Sequence, residues 1–144
     1  MSFINNKQDA IVIGEYCSII NQIVNSVEEI SLIKLYAFSF ICYRIDYHNW
    51  SAYSGKDSVN VLYKCISCMA GSFDEFSNHL KYIIASTDLL KKNNLIKIQG
   101  NYAINIKGTI VKLKENKHSN LSKAILASKT ISDRQFLKEV LRNV

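Results

Sequence analysis

The sequence predicts a mainly α fold with a small β-hairpin or three-stranded sheet, an α+β chain that is winged-helix-like in layout. Three observations predict it. Residues 72–92 carry Phe73, Phe76, Leu80, Ile83, Ile84, Thr87 and Leu90 at helical spacing, behind a Ser72/Glu75 pair at the S-x-x-E spacing of a capping box. Asn93-Asn94 ends that helix, and two short alternating segments, 95–99 and 102–106, follow around Gly100-Asn101, a hairpin signal. The 144 residues contain no proline, which favours helices joined by short polar turns over long linkers.

The remaining elements follow in chain order. A first helix over 8–25 presents Ala10, Ile13, Tyr16, Cys17, Ile20, Ile23 and Val24 on one face, with Asp9 in its first turn where the helix dipole favours an acid. Ser26 and Glu29 repeat the capping-box spacing and predict a second helix from there to about residue 44. That helix is apolar almost all round, with only Ser31, Lys34 and Ser39 as relief. It is expected either at the centre of the fold or partly covered by another chain.

Residues 46–57 read as a polar, aromatic loop. A third helix over 58–70 turns inward Val61, Leu62, Cys65, Ile66 and Met69, and Gly71 stops it. The tight turn at Gly71-Ser72 then gives a helix-turn-helix layout. Alternation of Ile110, Val111 and Leu113 with Lys112 and Lys114 predicts a third strand over 108–114; 115–120 reads as a loop. Helices over 121–129 and 132–142 finish the chain, the latter behind a Ser132/Gln135 capping pair. The expected organisation is one domain over 1–144, with a helical part at 8–57, the helix-turn-helix and hairpin at 58–114, and terminal helices at 115–144.

Composition narrows the function classes. An apolar share of 48% and a charged share of 21% are ordinary for a folded water-soluble domain. The first residues lack the basic-then-apolar layout of a secretory signal. The most apolar run, 30–45, is too short to span a bilayer and holds Lys34 and Arg44. Four cysteines in that setting predict free thiols in a reducing cytoplasm. Charge is one-sided: residues 1–80 hold five Lys/Arg against eight acids, and residues 81–144 hold thirteen against four. Such a field draws phosphates or an acidic protein surface; a solvated lysine-rich face is the plainer explanation.

Catalytic machinery is not visible. Cys65-Ile66-Ser67-Cys68 is a lone CxxC inside a helical pattern, without the second ligand pair a zinc site needs, so its cysteines are expected to act as small buried hydrophobes. His48, His79 and His118 stand apart from carboxylates at ligand spacing. P-loop, dinucleotide, nucleophile-elbow and zinc-peptidase motifs are absent, and the acids are too scattered for a metal nuclease. No enzyme activity, metal or cofactor is expected.

Binding residues are the remaining candidates. Lys81, Lys91, Lys92, Lys97, Lys112, Lys114 and Lys117 are placed to meet phosphates. Base reading is disfavoured, because the helix at 72–92 opens with Asp74, Glu75, Ser77 and Asn78 and so offers few of the Arg, Asn or Gln side chains that read base edges. The apolar helix offers Leu35 and Phe38 to a partner, and the aromatic loop offers Tyr47, Trp50 and Tyr53, residue types that anchor interfaces. The alternative for that loop is packing over its own core.

Two stretches carry a family resemblance: Ile30-Ser31-Leu32-Ile33-Lys34-Leu35-Tyr36-Ala37-Phe38-Ser39-Phe40, and the block 88–101 running from Asp88-Leu89-Leu90-Lys91-Lys92 to Gln99-Gly100-Asn101. Over roughly 16–106 the chain resembles the middle components of bacterial three-component ABC systems, Lamassu-type anti-phage defence among them. The resemblance lies in hydrophobic patterning, and no functional residue carries over. It implies a small non-catalytic subunit, similar to the winged-helix partners of condensin-like complexes. That subunit works beside an SMC-like ATPase and an effector, often a nuclease. Non-specific DNA contact through the basic half is compatible with this role. The alternative is a winged-helix transcriptional regulator that binds a specific DNA site.

Overall fold

A computed structural model of the chain describes residues 7–47, 58–113 and 115–143, with the side chains at 46, 47, 58–60, 115–119 and 143 excepted. Its elements in order are α1 (Lys7–Asn25), β1 (Glu29–Ser31), α2 (Leu32–Tyr47), α3 (Ser58–Ser67), α4 (Phe73–Lys92), β2 (Lys97–Gln99), β3 (Tyr102–Ile104), α5 (Glu115–Ser128) and α6 (Asp133–Asn143). The fold is mainly helical, with one small antiparallel sheet of strand order β1-β3-β2.

The sheet departs from expectation in its third strand. That strand is β1, ahead of α2, and not the segment 108–114. Glu29, Ile30 and Ser31 pair with Ile104, Ala103 and Tyr102, while Lys97, Ile98 and Gln99 take the other side of β3. Ile30, Ala103 and Ile98 form one cross-strand column against the core. The central strand needs a partner on both edges. Satisfying it outweighs the helix-capping tendency of Ser26 and Glu29. Ser26 instead donates its hydroxyl to the Ile23 carbonyl at the end of α1, 2.6 Å away. Ser31 takes over the cap of α2, accepting a bond from Lys34 N at 3.4 Å. With both edges of β3 filled, 108–113 runs as irregular backbone, tied down by Val111 N donating to Asn25 O at 2.9 Å.

Turn chemistry follows the sequence more closely. Gly100, φ 59, is the first of two residues joining β2 to β3, the position where a positive φ suits a two-residue hairpin. Asn94, also at φ 59, ends α4: Leu95 N donates to Leu90 O and Asn94 N to Lys91 O, the paired bonds of a Schellman stop. The Ser72/Glu75 capping box does not form. Ser72 makes no side-chain cap bond, and Glu75 turns away to pair with Arg44. Ser132 does cap α6, accepting from Gln135 N at 3.1 Å. Residues 115–120 extend α5 at its start rather than forming a loop. A polar helical turn lacks the apolar periodicity that would mark it in the sequence, and Glu115 suits a helix N-terminus.

Packing places α2 at the centre. Helices α1 and α4 pack on each other and on α2, while α5, α6 and the β1 and β3 strands also contact α2. Leu35, Phe38, Phe40 and Ile41 are fully buried, and Phe38 meets Phe136 of α6 at 5.5 Å between ring centroids. This is the central-helix alternative: most described side chains of α2 are covered within the chain itself. Helix α3 packs chiefly on α5 and α6 rather than on α4. The predicted helix-turn-helix unit therefore belongs to two different packing groups. Among the described residues, no helix is long and apolar enough to cross a membrane.

Candidate functional site

Four lysines and an apolar groove come together where the segment after β3 meets α5. Asn105 sets this up. Its backbone N–H donates to Glu28 O at 2.9 Å, and its side-chain amide donates to Val27 O at 3.1 Å and Thr109 O at 2.9 Å. Its Oδ1 accepts from Lys107 N at 2.9 Å. One short amide thus pins the chain after β3 against the link between α1 and β1. With Val111 bonded to Asn25, residues 107–113 become one wall of a trough whose other wall is α5.

The trough has a volume of about 730 Å³. Its buried base is Val27, Leu113 and Ile125, and its upper walls are Ile110 and Leu126, which are 55% and 62% exposed. Lys112, Lys123 and Lys129 also line it, and Lys107 and Lys112 line an adjoining depression of about 320 Å³. Among the described residues, every charged group lining these two depressions is a lysine. A third depression of about 330 Å³ shares Val27, Ile125 and Lys129; Glu28 and Glu29 line it and bound the cationic stretch at that end. An exposed apolar strip flanked by one sign of charge marks a binding surface more often than a bare solvent face.

The expected phosphate-contacting residues do not gather into one site. Of these, Lys112 reaches the trough. Lys81 lies on α4 with its ammonium 5.0 Å from the Tyr82 ring centroid. Lys92 pairs with Asp88 at 2.8 Å one turn away, Lys91 is exposed beside it, and Lys97 is exposed on β2. Lys114 and the side chain of Lys117 lie outside the described residues. Lys107, Lys123 and Lys129 were not among the candidates. For Lys123 and Lys129 a signal is present, the 123/126/129 spacing of Lys, Leu and Lys within the helix predicted over 121–129; Lys107 carries none.

Interface candidates fare differently. Leu35 and Phe38 have no exposed surface and belong to the chain's own core, so they are corrected from partner anchors to packing residues. Tyr47 closes α2 with its side chain undescribed, and Trp50 and Tyr53 lie outside the described residues.

Two clusters of reactive residue types are structural in their geometry. His79 is ringed by Tyr16, Phe40, Tyr43 and Tyr82, at centroid distances of 5.1 to 5.8 Å. Its Nδ1 lies 2.7 Å from the Tyr16 hydroxyl, which donates when the imidazole proton sits on Nε2. Tyr82 donates to Asp9 at 2.7 Å, and Ser86 donates to Ile13 O at 2.9 Å. All of these bonds join α1 to α4. Cys65 is buried on α3, where burial pushes its thiol up to about 12, well away from a reactive thiolate. Among the described residues, no three His, Cys, Asp or Glu side chains are grouped to hold a metal ion.

Compared with protein-family models, with curated proteins and with solved structures, the chain matches none of them.

Proposed function

We propose that this chain is a non-catalytic adaptor subunit of a multi-protein complex, docking other proteins through the lysine-flanked trough. The trough is the observation that carries this reading: an exposed apolar strip, walled by a segment that Asn105 pins and edged with cations. The order of elements supports a winged-helix relationship. A short strand between the first two helices pairs with the last strand of a hairpin, giving β1-β3-β2. On the patterning of residues 30–40 and 88–101, we place the complex among bacterial anti-phage systems, with an SMC-like ABC ATPase and an effector nuclease as partners.

The regulator alternative has less support. Asp74 is exposed at the start of α4, and the two-residue turn at Gly100-Asn101 is too short to form a wing reaching along DNA. Lysines on separate faces supply salt-sensitive attraction to phosphates and no base reading.

Affinity purification of the tagged chain from its native host tests the proposal. A stoichiometric complex containing a long coiled-coil ATPase is the expected result. A chain recovered only as a free monomer, or bound to one specific DNA site with high selectivity, contradicts it.

A further inference from the structure

We infer that the occupant of the trough is an acidic amphipathic helix of a partner protein, seated with its apolar face between Ile110 and Leu126 and its carboxylates on Lys107, Lys112, Lys123 and Lys129. This deepens the adaptor reading and rests on it. Charge complementarity selects the occupant. The described lining of the two cationic depressions holds four lysines and no carboxylate, so an acidic ligand gains from every charged contact and a basic one from none. Apolar walls select the helix. Ile110 and Leu126 are 55% and 62% exposed over a buried base of Val27, Leu113 and Ile125, and Val111 is exposed in the adjoining depression, an apolar strip suited to side chains spaced i, i+3/i+4 and i+7.

A nucleic acid fits less well, because its phosphates would lie over Ile110 and Leu126, and among the described residues no aromatic side chain lines the trough to stack a base. Glu28 and Glu29 stand at the end next to Lys129. They limit the acidic part of the occupant to the stretch between Lys107 and Lys129, and favour a neutral or basic residue beyond it.

Fluorescence anisotropy with the full chain tests the inference. The probes are a labelled peptide of about four helical turns with leucines on one face and glutamates on the other, a scrambled peptide of the same composition, its lysine-for-glutamate counterpart, and a short DNA duplex. Saturable binding of the acidic amphipathic peptide is expected, about tenfold or more tighter than the scramble. Leu126→Asp, and separately the Lys112→Glu/Lys123→Glu pair, are each expected to weaken it by about tenfold or more. Circular dichroism should stay unchanged, because these side chains lie on the surface; Ile110→Asp provides a second apolar variant.

Equal binding of the scramble, tighter binding of DNA with the same dependence on these variants, indifference to them, or no binding overturns the inference. So does a Leu126-dependent self-association seen by sedimentation, which would make a second copy the occupant. The two readings can fail separately. A native partner complex that survives Leu126→Asp removes the trough assignment and leaves the adaptor. Absence of any stoichiometric partner removes the adaptor itself.

Discussion

Lys34 Nζ lies 2.7 Å from the carbonyl oxygen of Ser128, joining the central helix to the end of α5. The same ammonium donates to Ile131 O at 2.7 Å and sits 3.9 Å from an Asp133 carboxylate oxygen. Carbonyls at a helix C-terminus lack intrahelical partners, and a cation there also meets the negative end of the dipole. Burial lowers the pKa of Lys34, and Asp133 opposes that shift. Lys34→Met is expected to leave both carbonyls without this donor and cost about 1–3 kcal/mol in urea unfolding. Faster amide exchange should appear across 126–134. Unchanged stability and exchange would show that water replaces the ammonium there.

A contrast between α2 and the trough follows from burial. Phe38→Ala removes a fully buried ring packed on Phe136 and is expected to cost about 3–5 kcal/mol. Leu126→Asp, on a side chain 62% exposed, should stay within about 0.5 kcal/mol of the parent. Thermal melts of the two variants decide this. A stable Phe38→Ala protein would restore α2 as a surface.

Ser39 on α2 is fully buried, and among the described residues its Oγ has no hydrogen-bond partner. Burying a hydroxyl without a partner is unfavourable, so Ser39→Ala is expected to be neutral or to raise stability by up to about 1 kcal/mol. A loss of more than that in chemical denaturation would point to an ordered water or an unseen partner at the hydroxyl.

Burial raises the pKa of Tyr16 and Tyr36 above the ordinary 10.0, and that of Cys65 from 9.0 to about 12. The unfolded chain then releases these protons first and binds fewer of them than the folded chain, so these groups make stability fall as pH rises. The Cys65 share is complete below pH 9.0 and is lost as pH rises towards about 12; the tyrosine share begins to fall near 10.0. Lys34 acts in the opposite sense, because its lowered pKa makes the unfolded chain hold the extra proton up to 10.5. Cys17 and Tyr82 are also raised, so five groups oppose one. Urea midpoints measured at successive pH values should decline beyond pH 9.0, and the decline should be shallower in Cys65→Ala. A midpoint that rises with pH would contradict this sign.

Much of the architecture was legible because helical periodicity is local. Asn93-Asn94 and Gly100-Asn101 located their turns correctly, since a positive φ restricts the residues a turn accepts. The third strand was not legible. Glu29–Ser31 is three residues long, and β3, some seventy positions later, is what makes it a strand. The same long-range pairing displaced 108–113 from the sheet and let it form a trough wall. The trough is hidden in the sequence because one of its walls reads as a strand. The residues of the other wall, 122–129, fall within the helix predicted over 121–129, where Lys123 and Lys129 flank Leu126. Only the displaced segment 107–113 laid beside that helix brings them together with Lys112, which is found by its charge alone.

The adaptor account is tested most directly by parallel affinity purification of the tagged parent and its Leu126→Asp variant from the native host. The account predicts a stoichiometric protein partner with the parent and its loss, by about tenfold or more, with the variant, both chains being equally folded. A partner retained equally by both, or recovered with neither, would contradict it.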